Sequence, residues 1–107
     1  MAEFNLEYHK GILFVRIPGY SSKEEYKFAL EYLKEIVLRI GIKYLVITIN
    51  SVKNFRLFNK LLKSIVNNCS KVLICYSHFS IKQNKILTQN NIRTITEERK
   101  AFEIIEI

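Results

Sequence analysis

The chain reads as an α/β domain, a mixed sheet with helices packed on it, in the order β-β-α-β-α-β-α-β-α. Three observations carry that reading. The first is an apolar, β-branched run, Tyr44-Leu45-Val46-Ile47 through Ile49, of the kind a strand buried on both faces requires. The second is the helical spacing that follows it, with Phe55, Phe58, Leu61, Leu62, Ile65 and Val66 on one face and Lys53, Arg56, Lys60 and Lys63 on the other. The third is the repetition of that alternation to the end of the chain. Alternation of this kind implies parallel strands joined by helical crossovers.

Taken in order, Phe4-Asn5-Leu6-Glu7-Tyr8 alternates apolar and polar residues and predicts a half-buried strand. His9-Lys10-Gly11 is a turn, and Ile12–Ile17 returns as a second strand, closing a hairpin that ends at Pro18-Gly19. Ser22 and Glu25 have capping-box spacing. The helix they open places Tyr26, Ala29, Leu30, Leu33, Ile36, Val37 and Ile40 inward, and Gly41 ends it. After the central strand and its helix, Asn67-Asn68 makes the next stop and Lys71–Tyr76 the next strand. Ser80 and Gln83 form a second capping box before a short helix poor in apolar positions. Ile92–Thr96 is a short strand, and residues 97–107 predict a closing helix with Ala101, Phe102 and Ile105 inward.

Length and composition suit one domain spanning 1–107, with 49% apolar residues to build a core. No apolar run reaches the roughly 18 residues a bilayer demands. The N-terminal residues lack the basic-then-apolar pattern of a signal peptide, so the expected location is cytoplasmic, with no membrane partner. Cys69 and Cys75 have neither metal-site nor redox spacing and read as two reduced, mostly buried thiols.

Charge is unevenly placed. The formal net charge is +7, and every carboxylate side chain lies before residue 36 or after residue 96. The acid-free segment 36–96 carries Arg39, Lys43, Lys53, Arg56, Lys60, Lys63, Lys71, Lys82, Lys85 and Arg93. A positive surface facing an acidic partner, protein or nucleic acid, follows from such a distribution. The chain also contains no aspartate, which excludes an aspartyl-phosphate receiver and an Asp-based magnesium site. His9 and His78 fall on separate turns, neither cysteine has a base beside it in sequence, and no Gly-rich phosphate loop is present. The expectation is a protein that is not an enzyme and holds neither cofactor nor metal.

The element order, the hairpin ending in Ile17-Pro18-Gly19-Tyr20, the strand closing on Asn50-Ser51-Val52 and the Leu61-Leu62 pair resemble the STAS domain. That is the fold of bacterial anti-sigma-factor antagonists, and the resemblance covers nearly the whole chain. It implies a regulatory protein partner, an anti-sigma factor or a kinase-like protein, docked by the strand-to-helix loop and helix 53–66. The family's signature, Asp-Ser-(Ser/Thr)-Gly-Leu at the start of that helix, includes a serine phosphorylated by the partner. Here the stretch is Lys53-Asn54-Phe55-Arg56-Leu57-Phe58; aligning Leu61-Leu62 puts Asn54 near the Asp, Phe55 and Arg56 near the serines, and Phe58 on the Leu. No hydroxyl remains there, and Ser51 is the nearest displaced phosphosite. The expected partner-binding residues are Asn50, Ser51, Lys53, Asn54, Arg56, Asn59, Lys60 and Lys63. The alternative is a small basic nucleic-acid-binding protein using segment 36–96, although its aromatics follow the core pattern and are not interleaved with the bases.

Overall fold

A two-residue turn starts the fold. Lys10 and Gly11 both adopt positive φ, 51° and 81°, the conformation that a type I′ hairpin turn needs to match the twist of its strands. It joins β1 (Asn5–His9) to β2 (Ile12–Ile17), with His9 opposite Ile12. Three crossovers follow: α1 (Lys23–Ile40) to β3 (Tyr44–Ile49), α2 (Phe55–Val66) to β4 (Lys71–Cys75), and α3 (Ile81–Gln89) to β5 (Ile92–Ile95). A 3-10 turn at Glu98–Lys100 and a one-turn helix, α4 (Ala101–Ile104), complete the chain. The computed structural model describes residues 5–17, 23–50, 52 and 54–105; Ser22 of the first capping box and the Pro18-Gly19 end of the hairpin lie outside them.

The five strands stand in chain order, β1-β2-β3-β4-β5, with β1 antiparallel and the rest parallel. Leu45–Ile49 therefore occupies the middle of the sheet and the hairpin one edge, as the patterning requires. One sheet face, with Leu13, Val15, Leu45, Ile47, Val72, Ile74 and Ile92, packs under Leu30, Leu33 and Val37 of α1, Phe58, Leu62 and Ile65 of α2, and Leu87 of α3. The opposite face, Ile12, Phe14, Val46, Leu73 and Ile95, is covered by Ala101 and Ile105 from the C-terminal segment.

Four expectations need correction. β1 is exposed along its whole length, not half-buried, because its helix-side residues extend past the edge of the helical layer. Ile40 is exposed at the last turn of α1, where the chain is already leaving the sheet toward Gly41. The closing helix is a single turn preceded by a 3-10 turn, since its task is to lie across a sheet face and not to cross between strands. Phe102 lies at the rim of that face, partly exposed, with its ring 5.7 Å from Phe14 and 5.9 Å from His9.

The Ser80–Gln83 capping box is present in both directions, Gln83 N–H to Ser80 Oγ at 3.1 Å and Ser80 N–H to Gln83 Oε1 at 2.9 Å. Local capping matters most here, because α3 buries only Leu87 while Ile81 is exposed. By contrast α2 is fastened by a complete apolar stripe. Leu62→Ala, which empties the centre of that stripe, should lower stability by about 2–5 kcal/mol in urea unfolding. Ser80→Ala should lower it by only about 1 kcal/mol.

Candidate functional site

The carboxyl ends of β3 and β4 feed the loops that start α2 and α3. At α2 the chain turns on Asn54. Its backbone is extended, and its Oδ1 accepts a hydrogen bond from Leu57 N–H at 3.0 Å, so Asn54 is an N-cap. Phe55 then sets its ring 5.8 Å from Phe79, and Phe58 lies beneath, 6.4 Å from the same ring. Tyr76 meets Phe79 edge-on at 4.6 Å and His78 at 5.5 Å. These aromatics lock the β4–α3 loop to the start of α2 and hold the loop end of the helix in one position.

On that fixed helix Arg56, Lys60 and Lys63 are all exposed. Their spacing of four and three residues aligns them along one side for about 10 Å. None of the three makes an ion pair among the described residues; there the ion-paired cations are Arg16, Arg39 and Arg99. Lys82 and Lys85 of α3 are also exposed, and α2 and α3 lie on the same sheet face without a carboxylate on either. Both sets of exposed cations thus stand on helices that cover the same sheet face.

The expected site residues divide. Asn50 is exposed just after the carboxyl end of β3, and Arg56, Lys60 and Lys63 are exposed along α2. Asn59 is half-buried, and its Oδ1 accepts from Asn90 Nδ2 at 3.0 Å, tying α2 to the C-cap of α3. Ser51 and Lys53 lie outside the described residues. The aromatic contacts of Tyr76, His78 and Phe79 were not legible as part of the site. Only their position directly after an apolar strand marks them.

A second polar constellation, also missed, sits on the opposite sheet face. Arg16 holds Glu98 with a two-point fork, Nε to Oε2 at 2.9 Å and Nη2 to Oε1 at 2.8 Å. Its Nη1 donates to Asn5 Oδ1 at 2.9 Å and Glu7 Oε1 at 3.2 Å. Thr48 Oγ1 donates to Glu98 Oε2 at 2.5 Å, and Cys75 stands next to Thr48 in the β3–β4 register. These groups come from β1, β2, β3, β4 and the 3-10 turn. Their bonding capacity is largely spent on one another, which suits a clamp on the C-terminal segment and leaves little for a substrate. Burial pushes the Cys75 thiol up, against a partial offset from Thr48, and pushes Cys69 up to about 11. Neither is activated as a nucleophile. Among the described residues no group of three or more His, Cys or Glu side chains is placed to hold a metal.

The Arg16 guanidinium, helped by Thr48, holds the Glu98 carboxyl below the ordinary glutamate range, against an opposing effect of burial. A carboxylate depressed in the folded state stabilises the fold above its unfolded pKa of about 4.3, and that contribution is lost as pH falls through the folded value. Glu98→Gln should therefore lower the melting temperature at pH 7. The gap to the wild type should narrow as the pH drops below about 4. Parallel thermal melts from pH 7 to pH 3 would check this; a constant gap would refute it.

No protein-family model matches the chain, and no curated protein is similar to it, so the surface of α2 and its loop stands on its geometry.

Proposed function

We propose that this chain is a non-enzymatic interaction module of the anti-sigma-factor-antagonist type. It docks a regulatory protein partner through the β3–α2 loop and the outer side of α2. One observation carries the reading: a helix held by Phe58, Leu62 and Ile65 beneath and by Phe79 at its start presents Arg56, Lys60 and Lys63 outward as cations with no ion-pair partner among the described residues. A rigid helix end beside a loop is well prepared for docking, because little conformational freedom is lost on binding. The surface suits a partner that is acidic, and in such interfaces the charges act mainly on the rate of encounter. An anti-sigma factor or kinase-like protein in the cytoplasm is the class of partner that the architecture suggests.

The phosphate switch of such antagonists is lost or displaced in this reading. Asn54 caps the helix where the family has its aspartate, and Phe55 and Arg56 stand near the serine positions. Phosphorylation would add nearly two negative charges there, whereas Arg56 supplies a permanent positive one. Incubation with a kinase of the family and ATP should leave Asn54–Phe58 without phosphate. Mass spectrometry finding a stoichiometric phosphate on Ser51 would instead move the switch to that residue.

The exposed cations of α2 and α3 also favour a second reading, binding of a nucleic-acid backbone. One double variant separates the two. Arg56→Glu with Lys60→Glu alters exposed side chains and should change stability by about 0.5 kcal/mol or less. An acidic protein partner should bind it more slowly and with a flatter salt dependence, while the wild type shows no appreciable DNA or RNA affinity near physiological salt. Micromolar nucleic-acid binding by the wild type, falling steeply with salt, would make the second reading the correct one. If the variant alters neither kind of binding, this side of α2 is only solvated surface.

A further inference from the structure

We infer that the cavity at the amino ends of β4 and β5 binds a small amphipathic anion, an oxyanion head group on an apolar body. The cavity measures about 570 Å³, within the range of small-molecule sites. It lies between the C-terminal ends of α2 and α3 and the last residue of α4. Val66, Val72, Leu73, Ile92 and Ile104 supply its apolar walls, with Ser70, Thr88 and Asn91 as polar groups among them. Two cations, Lys71 and Arg93, also line it, and among the described residues no carboxylate does. The cavity is at the opposite end of the strands from the β3–α2 loop, so it stands independently of the docking reading.

The strand register brings the two cations together. Arg93 stands beside Leu73 in the β4–β5 pairing, and Leu73 belongs to the sheet face that the C-terminal segment covers. Side chains alternate along a strand, so Lys71, two residues before Leu73, is on that face as well. Lys71 Nζ donates to the Ile104 carbonyl at 3.2 Å. Because Ile104 is itself part of the wall, this bond holds the ammonium at the cavity and leaves two of its three donors open. Arg93 makes no ion pair and no side-chain hydrogen bond among the described residues. Its planar five-donor fork is uncommitted, and that geometry matches a carboxylate or a phosphate.

The neighbouring helix ends act against an anion. Each helix C-terminus carries about half a negative charge, and those of α2 and α3 border the cavity. Their last carbonyls are already used. Those of Ile65 and Val66 accept from the N–H groups of Asn68 and Cys69 at 3.0 and 3.1 Å, and that of Ser64 from Asn68 Nδ2 at 3.2 Å. On α3 the Leu87 and Thr88 carbonyls accept from the N–H groups of Asn90 and Asn91 at 3.0 and 3.1 Å. The full charges of Lys71 and Arg93 therefore exceed what the capped helix ends oppose, and the field in the cavity favours an anion. A bare inorganic ion would leave the apolar walls unused. An oxyanion on Arg93 and Lys71, with an apolar body against those walls, uses both.

Octanoate, octyl phosphate and the neutral octanol are the probes, titrated into the full chain and followed by backbone amide NMR shifts. At least one of the two anions should bind saturably and move the signals of residues 66–73 and 88–93. Octanol should bind at least about tenfold more weakly, lacking the charged acceptor. The tighter of the two anions identifies the head group as carboxylate or phosphate. Arg93→Gln, an exposed change that should leave circular dichroism unaltered, should weaken that anion about tenfold, the worth of one charge-assisted hydrogen bond. Arg56→Glu with Lys60→Glu should leave it unchanged. Saturable shifts from neither anion would overturn the inference. So would octanol binding as tightly as the anions, or anion binding that Arg93→Gln leaves intact.

Discussion

The strands lie side by side in the order in which the chain makes them, and most of the architecture depends on that constraint. When each parallel crossover steps to the next strand in the same direction and keeps the same hand, every helix lands on the same face. α1, α2 and α3 accordingly share one core with the helix-side residues of the sheet. The opposite face is equally apolar at Ile12, Phe14, Val46, Leu73 and Ile95. Among the described residues, those after β5 cover it. Their apolar content is small, Ala101, Ile105 and part of Ile104, so a specific clamp supplements it. Glu98 reaches Arg16 and Thr48, and Lys71 Nζ donates to the Ile104 carbonyl at 3.2 Å. The polar ends of β2 and β3 are thereby answered by the same segment that covers their apolar middles.

The same layout sorts the charges. Four carboxylates of β1, α1 and the C-terminal segment are ion-paired: Glu7 and Glu98 share Arg16, Glu35 pairs with Arg39, and Glu97 with Arg99. The cations of α2 and α3 have no carboxylate on their own helices. Placing these helices next to each other concentrates a potential that isolated lysines along a sequence would not produce. Aromatic packing between Phe55, Phe58, Tyr76 and Phe79 then fixes the helix end that carries it. The edge strand β1 lies at the other side of the sheet, with Leu6 and Tyr8 exposed.

Much of this was legible in the residues. The β3 run and the α2 stripe are governed by local periodicity, which the side chains impose without reference to the rest of the chain. The capping box at Ser80 and Gln83 is equally local and is formed as the spacing demands. Of the partner-binding residues, Arg56, Lys60 and Lys63 could be placed outward because they oppose that stripe. Asn59 could not be distinguished from them, since its bond to Asn90 joins residues 31 positions apart. The exposure of β1 and of Ile40 was also hidden. Both depend on where the helical layer ends, which no pattern within either element encodes.

By itself the sequence determined the element types, their order, the centrality of Leu45–Ile49 and the absence of acid from the middle of the chain. Those properties arise from neighbouring residues and from composition, and they require no partner. Tertiary structure alone decided which face each helix covers, how the last residues reach back over the sheet, and that Arg16, Thr48 and Glu98 meet. It also decided that β1 is the edge of the sheet among the described residues. The physical reason is common to all four. Each is settled by strand order and crossover hand, which bring together groups as far apart as Arg16 and Glu98, 82 positions in the chain. No local preference of either residue contains that information.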